Sequence, residues 1–274
     1  MNKAWEKVLL ARDPKRMTAK TLIAEVFTDF TELHGDRLMG DDSAIIGGIA
    51  YFEGIPVTII AQEKGLTTEE KIKHNFGMPH PEGYYKAIRL MKQAEKFNRP
   101  IITIIDTPGA YPGIKAEERG QASAIAQSLK EMIQLKTPII STVLGEGGSG
   151  GALAIGVSDH LSMFENSIYS ILSPEGFASI LYKDSQKAPM ASELMKLTAK
   201  DLKEFKIIDE IIKEEKPLSI DSTYGVESYK KYLRKTLNSL MKKNIEQLLL
   251  TRYEKFRNIG AYQTNIVEEN AHES

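Results

Sequence analysis

Cysteine is missing altogether, with none among 274 residues. That absence removes disulfides, zinc ribbons and thiol nucleophiles together, and it fits a cytoplasmic protein. A surplus of either charge is missing too. Lysine and arginine number 36 against 37 acidic residues, a net of −1, so the balance does not invite nucleic acid, and no motif for binding it appears. No apolar run is long enough to span a bilayer. The opening MNKAWEKVLLARDPKR holds no signal-peptide core, so a soluble, untargeted chain is expected, with no membrane partner. No Pro/Gly/Ser-rich linker divides the sequence, which points to one continuous domain, and no internal repeat suggests a solenoid.

What is present suits a globular fold: 42% hydrophobic and 27% charged residues, in a length that can bury a substantial core. Apolar spacing predicts an amphipathic helix over 18–33, with Leu22, Ile23, Val26, Phe27, Phe30 and Leu33 on one face. Strands are predicted over 44–50 and 56–63, joined by a turn at Glu53-Gly54. Residues 64–81 read as a loop or a partly helical excursion. Strand, loop and helix then alternate: helix 84–97, strand 101–105, loop 106–113, helix 117–136, strand 139–144, the glycine segment 145–156 and strand 167–172. Ser173-Pro174-Glu175 is a helix start, and 223–258 reads as one or two long helices before a frayed polar end. The alternation predicts an α/β chain with mainly parallel pairing.

Two loops carry the chemical signal: DTPGAYPG at 106–113, and GEGGSGGA from Gly145, with five glycines in seven residues. Such glycines let a ligand approach main-chain N–H groups, and a helix start directs those donors at negative charge. Three readings compete for the second loop. It matches G-x-G-x-x-G, with Glu165 near the ribose-binding offset, but Ser158-Asp159 cuts the following helix too short for a dinucleotide fold. A P-loop fails because Gly151 and Ala152 stand where Lys and Ser or Thr are needed. Residues 147–151 also match the hydrolase elbow G-x-S-x-G around Ser149. Only His160 and His272 follow that serine; His34, His74 and His80 precede it, so a base is hard to find. The third reading is an oxyanion hole without a protein nucleophile, built from the N–H groups of Gly150 and Gly151.

Seven blocks recur in order: GDR at 35–37, DDxAIIGGIA at 41–50, KIKHNFGMPHPEGYYKAIRLM at 71–91, IDTPGAYPG at 105–113, EERGQ at 117–121, GEGGSGGALAIG at 145–156 and SPEG at 173–176. As a series they resemble the carboxyltransferase α subunits of bacterial acetyl-CoA carboxylase over roughly residues 5–215. The resemblance implies a crotonase-like (ClpP/crotonase) superhelix of ββα units with flanking and C-terminal helices. As one carboxyltransferase domain it would comprise a helical entry at about 1–34, a core at about 35–215 and a helical tail at about 216–274.

It further implies transfer of a carboxyl group from carboxybiotin, held on the biotin carboxyl carrier protein, to acetyl-CoA. The product is malonyl-CoA, the first committed step of fatty acid biosynthesis. Biotin would not be attached to this chain, and no metal is expected in it. The implied partners are a zinc-containing β subunit in an α2β2 assembly, the carrier protein and biotin carboxylase. By the same resemblance Gly150 and Gly151 form the catalytic oxyanion hole. Gly147, Gly148 and Ala152 border the substrate, and Gly109, Ala110 and Tyr111 line the biotin pocket. Many members carry a longer N-terminal helical segment, so its contacts are not expected here. Lys64, Lys71, Lys73 and His74 could attract CoA phosphates, but Glu63, Glu69 and Glu70 interleave with them and favour a solvated charged face. Outside this reading stand a non-catalytic assembly scaffold, and a decarboxylase or carboxylase for another acyl-CoA.

Overall fold

The computed structural model describes residues 3–260. It opens with helices α1 (Lys3–Ala11) and α2 (Ala19–Val26), the second capped by the Thr18 hydroxyl, which accepts from Thr21 N. The sequence predicted one helix as far as residue 33; it stops at Val26 instead. Asp29 takes φ +53°, and Thr28–Glu32 forms strand β1, where branched Thr28 and Thr31 suit a pleat better than a helix. Strands β2 (Ile45–Phe52) and β3 (Ile55–Gln62) pair antiparallel through Phe52↔Ile55, and Glu53 and Gly54 both take positive φ, as a two-residue hairpin turn needs.

The excursion after β3 contains α3 (Thr68–Lys73), with a Thr67/Glu70 capping box. Then follow α4 (Pro81–Lys96), β4 (Ile101–Thr107), α5 (Ile114–Glu118) and α6 (Gln121–Gln134). The single helix predicted over 117–136 is broken because Gly120 enters the left-handed region at φ +79°. Strand β5 (Ile139–Gly148) runs four residues beyond its predicted end, straight into α7 (Ser149–Leu153). Next come β6 (His160–Phe164), which the periodicity missed, β7 (Ile168–Ser170), and α8 (Pro174–Tyr182), capped by Ser173 as expected. Helices α9 (Ala188–Met195) and α10 (Ala199–Glu204), strand β8 (Glu210–Ile212), and helices α11 (Thr223–Leu240) and α12 (Ile245–Arg257) complete the described residues. The frayed end expected beyond them lies outside the described residues.

The sheet runs β1-β2-β3-β4-β5-β6-β8, with β7 also paired to β5. Pairing is antiparallel from β1 to β3 and parallel from β3 onward. Every residue of β4 and β5 is buried, as parallel strands covered on both faces require. Alternation splits them: Ile102, Ile104, Ile140 and Leu144 pack with α2 and α11, while Ile101, Ile105, Ile139 and Val143 pack with α4 and α6. Both glycine loops therefore leave the C-terminal ends of the two most enclosed strands, where open parallel sheets place their ligands.

Candidate active site

At the end of β4 the ladder loses step with β5. Ile105 pairs with Val143, but Thr107 pairs with Gly147, so Asp106 faces a bulge in β5. Asp106 Oδ1 accepts from Glu146 N at 2.9 Å, which fixes the bulge. Lys64, just past β3, places Nζ 2.7 Å from Asp106 Oδ1 and 3.0 Å from Glu146 Oε2. Arg12 completes the chain of charges, with Nε 2.6 Å from Glu146 Oε1 and Nη1 2.7 Å from Glu175 Oε1. Burial works against the Lys64 ammonium, but Asp106 and Glu146 outweigh it and raise its pKa. Burial likewise works against ionised Glu146, yet Lys64 and Arg12 hold it below the ordinary carboxylate value. Beside these groups lies a cavity of about 280 Å³, lined in part by Arg16, Lys71, Phe76 and Pro108.

This corrects the reading of 64–74 as a solvated charged face. Lys64 is committed to two carboxylates, and His74 is buried with its ring nitrogen 2.5 Å from Ser43 O. Lys73 is exposed and Lys71 half-buried. The alternating signs in the sequence hid a buried ion pair.

Helix α7 starts without any side-chain cap, so the N–H groups of its first turn have no intrahelical acceptor. Ser149 is exposed at φ +54°. The glycines around it are not equivalent. A Cβ on Gly148 would lie 2.2 Å from Pro108 O, and one on Gly151 would lie 2.5 Å from Ala110 N and 2.6 Å from Gly109 C. The 106–113 loop thus lies flat on the second loop, and these two glycines are what permit it. A Cβ on Gly147 would lie 2.6 Å from Tyr169 Cδ2, and Ala152 is buried. Gly150 alone of the four is free of such crowding: its added Cβ would meet only Ile125, at 3.6 Å. Gly109 and Ala110 therefore join the glycine loop directly. Tyr111 stands to one side, stacked on His80 with ring centroids 4.1 Å apart.

Among the described residues no histidine hydrogen-bonds to Ser149. His160 Nδ1 lies 2.8 Å from the Tyr232 hydroxyl, His34 pairs with Asp41, and Asn75 donates to His80 Nδ1 at 3.2 Å. With His74 on Ser43 O, the four histidines earlier or later than Ser149 in the described residues are all engaged elsewhere; His272 lies outside them. The dinucleotide reading fails on the five residues of α7 and on Glu165, which pairs with Lys213 at 3.1 Å. Among the described residues no group of three or more His, Asp or Glu could hold a metal ion, and no helix is long and apolar enough to cross a membrane. Replacing Ser149 by alanine should therefore leave turnover within about threefold of wild type. A nucleophile would lose far more, on the order of 10⁴–10⁶, and a fluorophosphonate probe should not label this serine.

The glycines were named from the sequence and Lys64 was set on a solvated face, but Arg12, Gln62 and Glu146, which meet these loops, were missed. Asp106 was visible only as the first residue of the 106–113 loop. The one available signal was polarity, Gln62-Glu63-Lys64 at the end of a buried strand.

A family model described as acetyl co-enzyme A carboxylase carboxyltransferase-like matches residues 2–260. The acetyl-coenzyme A carboxylase carboxyl transferase subunit alpha of Clostridium botulinum (strain Eklund 17B / Type B) is 59% identical over 262 residues, covering 94% of this chain and 95% of that protein. The same subunit of Listeria monocytogenes is 55% identical over 262 residues, covering 95% of this chain and 82% of its own length. Among solved structures, transcarboxylase 12S superposes with a TM-score of 0.66 at 18% identity, over 87% of this chain and 45% of that one. A Pseudomonas malonate decarboxylase hetero-tetramer in complex with coenzyme A gives 0.65 at 16% identity, over 78% and 86%. At such identities the likeness shows the fold, which is the crotonase-like α/β architecture expected from the sequence.

Proposed function

The chain belongs to the acetyl co-enzyme A carboxylase carboxyltransferase-like family, and from that premise we propose that it is the α-type half of a carboxyltransferase that converts acetyl-CoA to malonyl-CoA. Biotin on a separate carrier protein supplies the activated carboxyl group. Residues 1–274 act as one carboxyltransferase domain, with a helical entry, a core and a helical tail.

The observation that carries the reading is the uncapped start of α7, with Gly150 half-buried and uncrowded. Neutral N–H donors aimed at a carbonyl oxygen suit a reaction in which negative charge grows on that oxygen. They strengthen as the charge develops and need no reorganisation. The residues present fit a biotin carbonyl in that role: fixed main-chain donors, an open approach over Gly150, and no competing nucleophile. Gly150 and Gly151 supply the donors, Gly147, Gly148 and Ala152 hold them in line, and Gly109, Ala110 and Tyr111 border the carboxyl donor.

One donor set accounts for one of the two oxygens on which charge accumulates, that of the carboxyl donor; the thioester oxygen needs another. A zinc-containing β subunit supplies it, in an α2β2 complex that also meets the carrier protein and biotin carboxylase in the cytoplasm. Supporting this is the surface around α8 and α9, where Ile171, Ile180, Leu181, Met190 and Leu194 are each more than half exposed. So much aliphatic surface in adjacent elements marks an interaction face.

The purified chain alone should show no decarboxylation of malonyl-CoA in the presence of free biotin, and adding the β subunit should restore it. Strong turnover by the isolated chain, shown by mass spectrometry to be free of partner, would overturn the two-subunit reading.

A further inference from the structure

Gln62 ends β3, and its amide is completely buried. Strand β4 separates β3 from β5 in the sheet, so a residue of β3 has no backbone route to the glycine loop. The Gln62 side chain makes that route. Its Nε2 donates to Gly151 O at 2.7 Å, and its Oε1 accepts from Asp106 N at 3.2 Å. Both ends of the bridge are places where regular structure fails. Asp106 N sits at the break in register between β4 and β5, and Gly151 lies in the first turn of the five-residue α7.

Resting on the reading of α7 as the donor site, we infer that Gln62 is a positioning residue for carboxyl transfer: it sets α7, and with it the Gly150 and Gly151 N–H groups, against the end of β4. The chemistry of an amide is what the place requires. One side must donate to a carbonyl and the other must accept from an N–H, at a fixed separation, and no other side chain of that length does both without first taking up a proton. Gly151 pivots on this bond. Its Cβ side is closed by Gly109 and Ala110, and the peptide plane that follows it is held at the carbonyl by Gln62, so the residue is clamped from two directions. A shift of about 1 Å in such a plane is enough to cost on the order of a hundredfold in rate.

A buried amide that only satisfied backbone groups would affect stability and leave turnover per folded complex unchanged. The two roles are separated by Gln62→Glu and Gln62→Met, assayed in the complex with the β subunit. Glutamate keeps the acceptor for Asp106 N. Ionised, it loses the donor and sets a negative charge against Gly151 O; protonated, it regains the donor. Asp106 in β4, Glu146 one strand further in β5 and neighbouring Glu63 should raise the pKa of that new carboxyl, while Lys64 and, through Glu146, Arg12 should oppose them.

Gln62→Glu should lose about tenfold to a hundredfold in kcat near pH 8 and recover progressively as pH falls, relative to the wild-type profile. Its KM for malonyl-CoA should stay within about threefold. Gln62→Met should show the same kcat loss with no recovery at low pH. Wild-type kcat in both variants, or a loss in Gln62→Glu that ignores pH, overturns the inference. So does failure of both variants to assemble, since the amide would then serve folding. Retained activity in a folded Gly150→Pro complex would instead refute the donor-site reading itself, so the two failures are told apart.

Discussion

Gly150→Pro is expected to reduce carboxyl transfer by about a hundred- to a thousandfold, the usual effect of deleting one oxyanion donor. Proline removes the N–H outright. Position 150 lies in the first turn of α7, where no intrahelical bond depends on that N–H and proline is compatible with the helix. The fall should appear in kcat, with KM for the acyl-CoA within a few-fold, if the partner holds the thioester as proposed. Proline also restricts the residue before it, and Ser149 already sits at φ +54°, so complex formation and the melting transition belong beside the kinetics. Gly150→Ala is the companion measurement. It keeps the donor, and its methyl meets only Ile125 at 3.6 Å, so turnover should fall by less than about tenfold. Near wild-type turnover in a well-folded proline complex would make the loop structural.

The second large effect is on stability and lies far along the chain. Arg252 in α12 is fully buried, and its guanidinium uses every donor it has. Nε and Nη2 reach the two oxygens of Asp159 at 2.8 Å each, Nη1 donates to Met132 O and Leu135 O, and Nη2 also donates to Thr137 O at 3.0 Å. One side chain thereby ties the last helix to the end of α6 and to the start of β5, where Asp159 Oδ2 also accepts from Ile139 N at 2.7 Å. Arg252→Met leaves the carboxylate of Asp159 buried without its partner. The expected loss is about 3–5 kcal/mol, or roughly 10 °C in melting temperature for a chain of this size. Arg252→Lys should recover only part, since an ammonium cannot reproduce the fork. Thermal unfolding checks both. Below the transition, turnover per folded complex should match wild type, and a melting point within about 2 °C of wild type for Arg252→Met would refute the assignment.

Local signals were read well wherever they were self-contained. The Glu53-Gly54 turn, the Ser173 cap and the two tail helices each depend on a few neighbouring residues, and each stands where the sequence placed it. The helix assigned to 18–33 failed because Phe27, Phe30 and Leu33 continue a helical spacing by coincidence, while pairing with β2 decides the matter. The side chains that hold the site were illegible for a different reason. Arg12 meets Glu146 134 positions away, and Gln62 meets Gly151 89 positions away, so no local window contains both partners. The glycines themselves were plain to see, yet one glycine looks like another in a sequence. Only the 106–113 loop lying across them separates Gly148 and Gly151, which make room for packing, from Gly150, which stands clear of that loop.

That close lamination of one loop on another also determines how the site would look to a mutational screen. Alanine scanning assumes that function resides in side chains, and the donors proposed here are main chain. At 148 and 151 an alanine methyl would strike Pro108 O or the 109–110 peptide, so both positions would register as folding defects. At 150 the methyl fits, and the scan would pass with little signal over the one glycine of the four with open space beside its Cα. The resulting map would be bright over the scaffold and dim over the chemistry, close to the inverse of the functional one. A substitution of atoms in the backbone, with an ester oxygen in place of the amide nitrogen of residue 150, would restore the contrast.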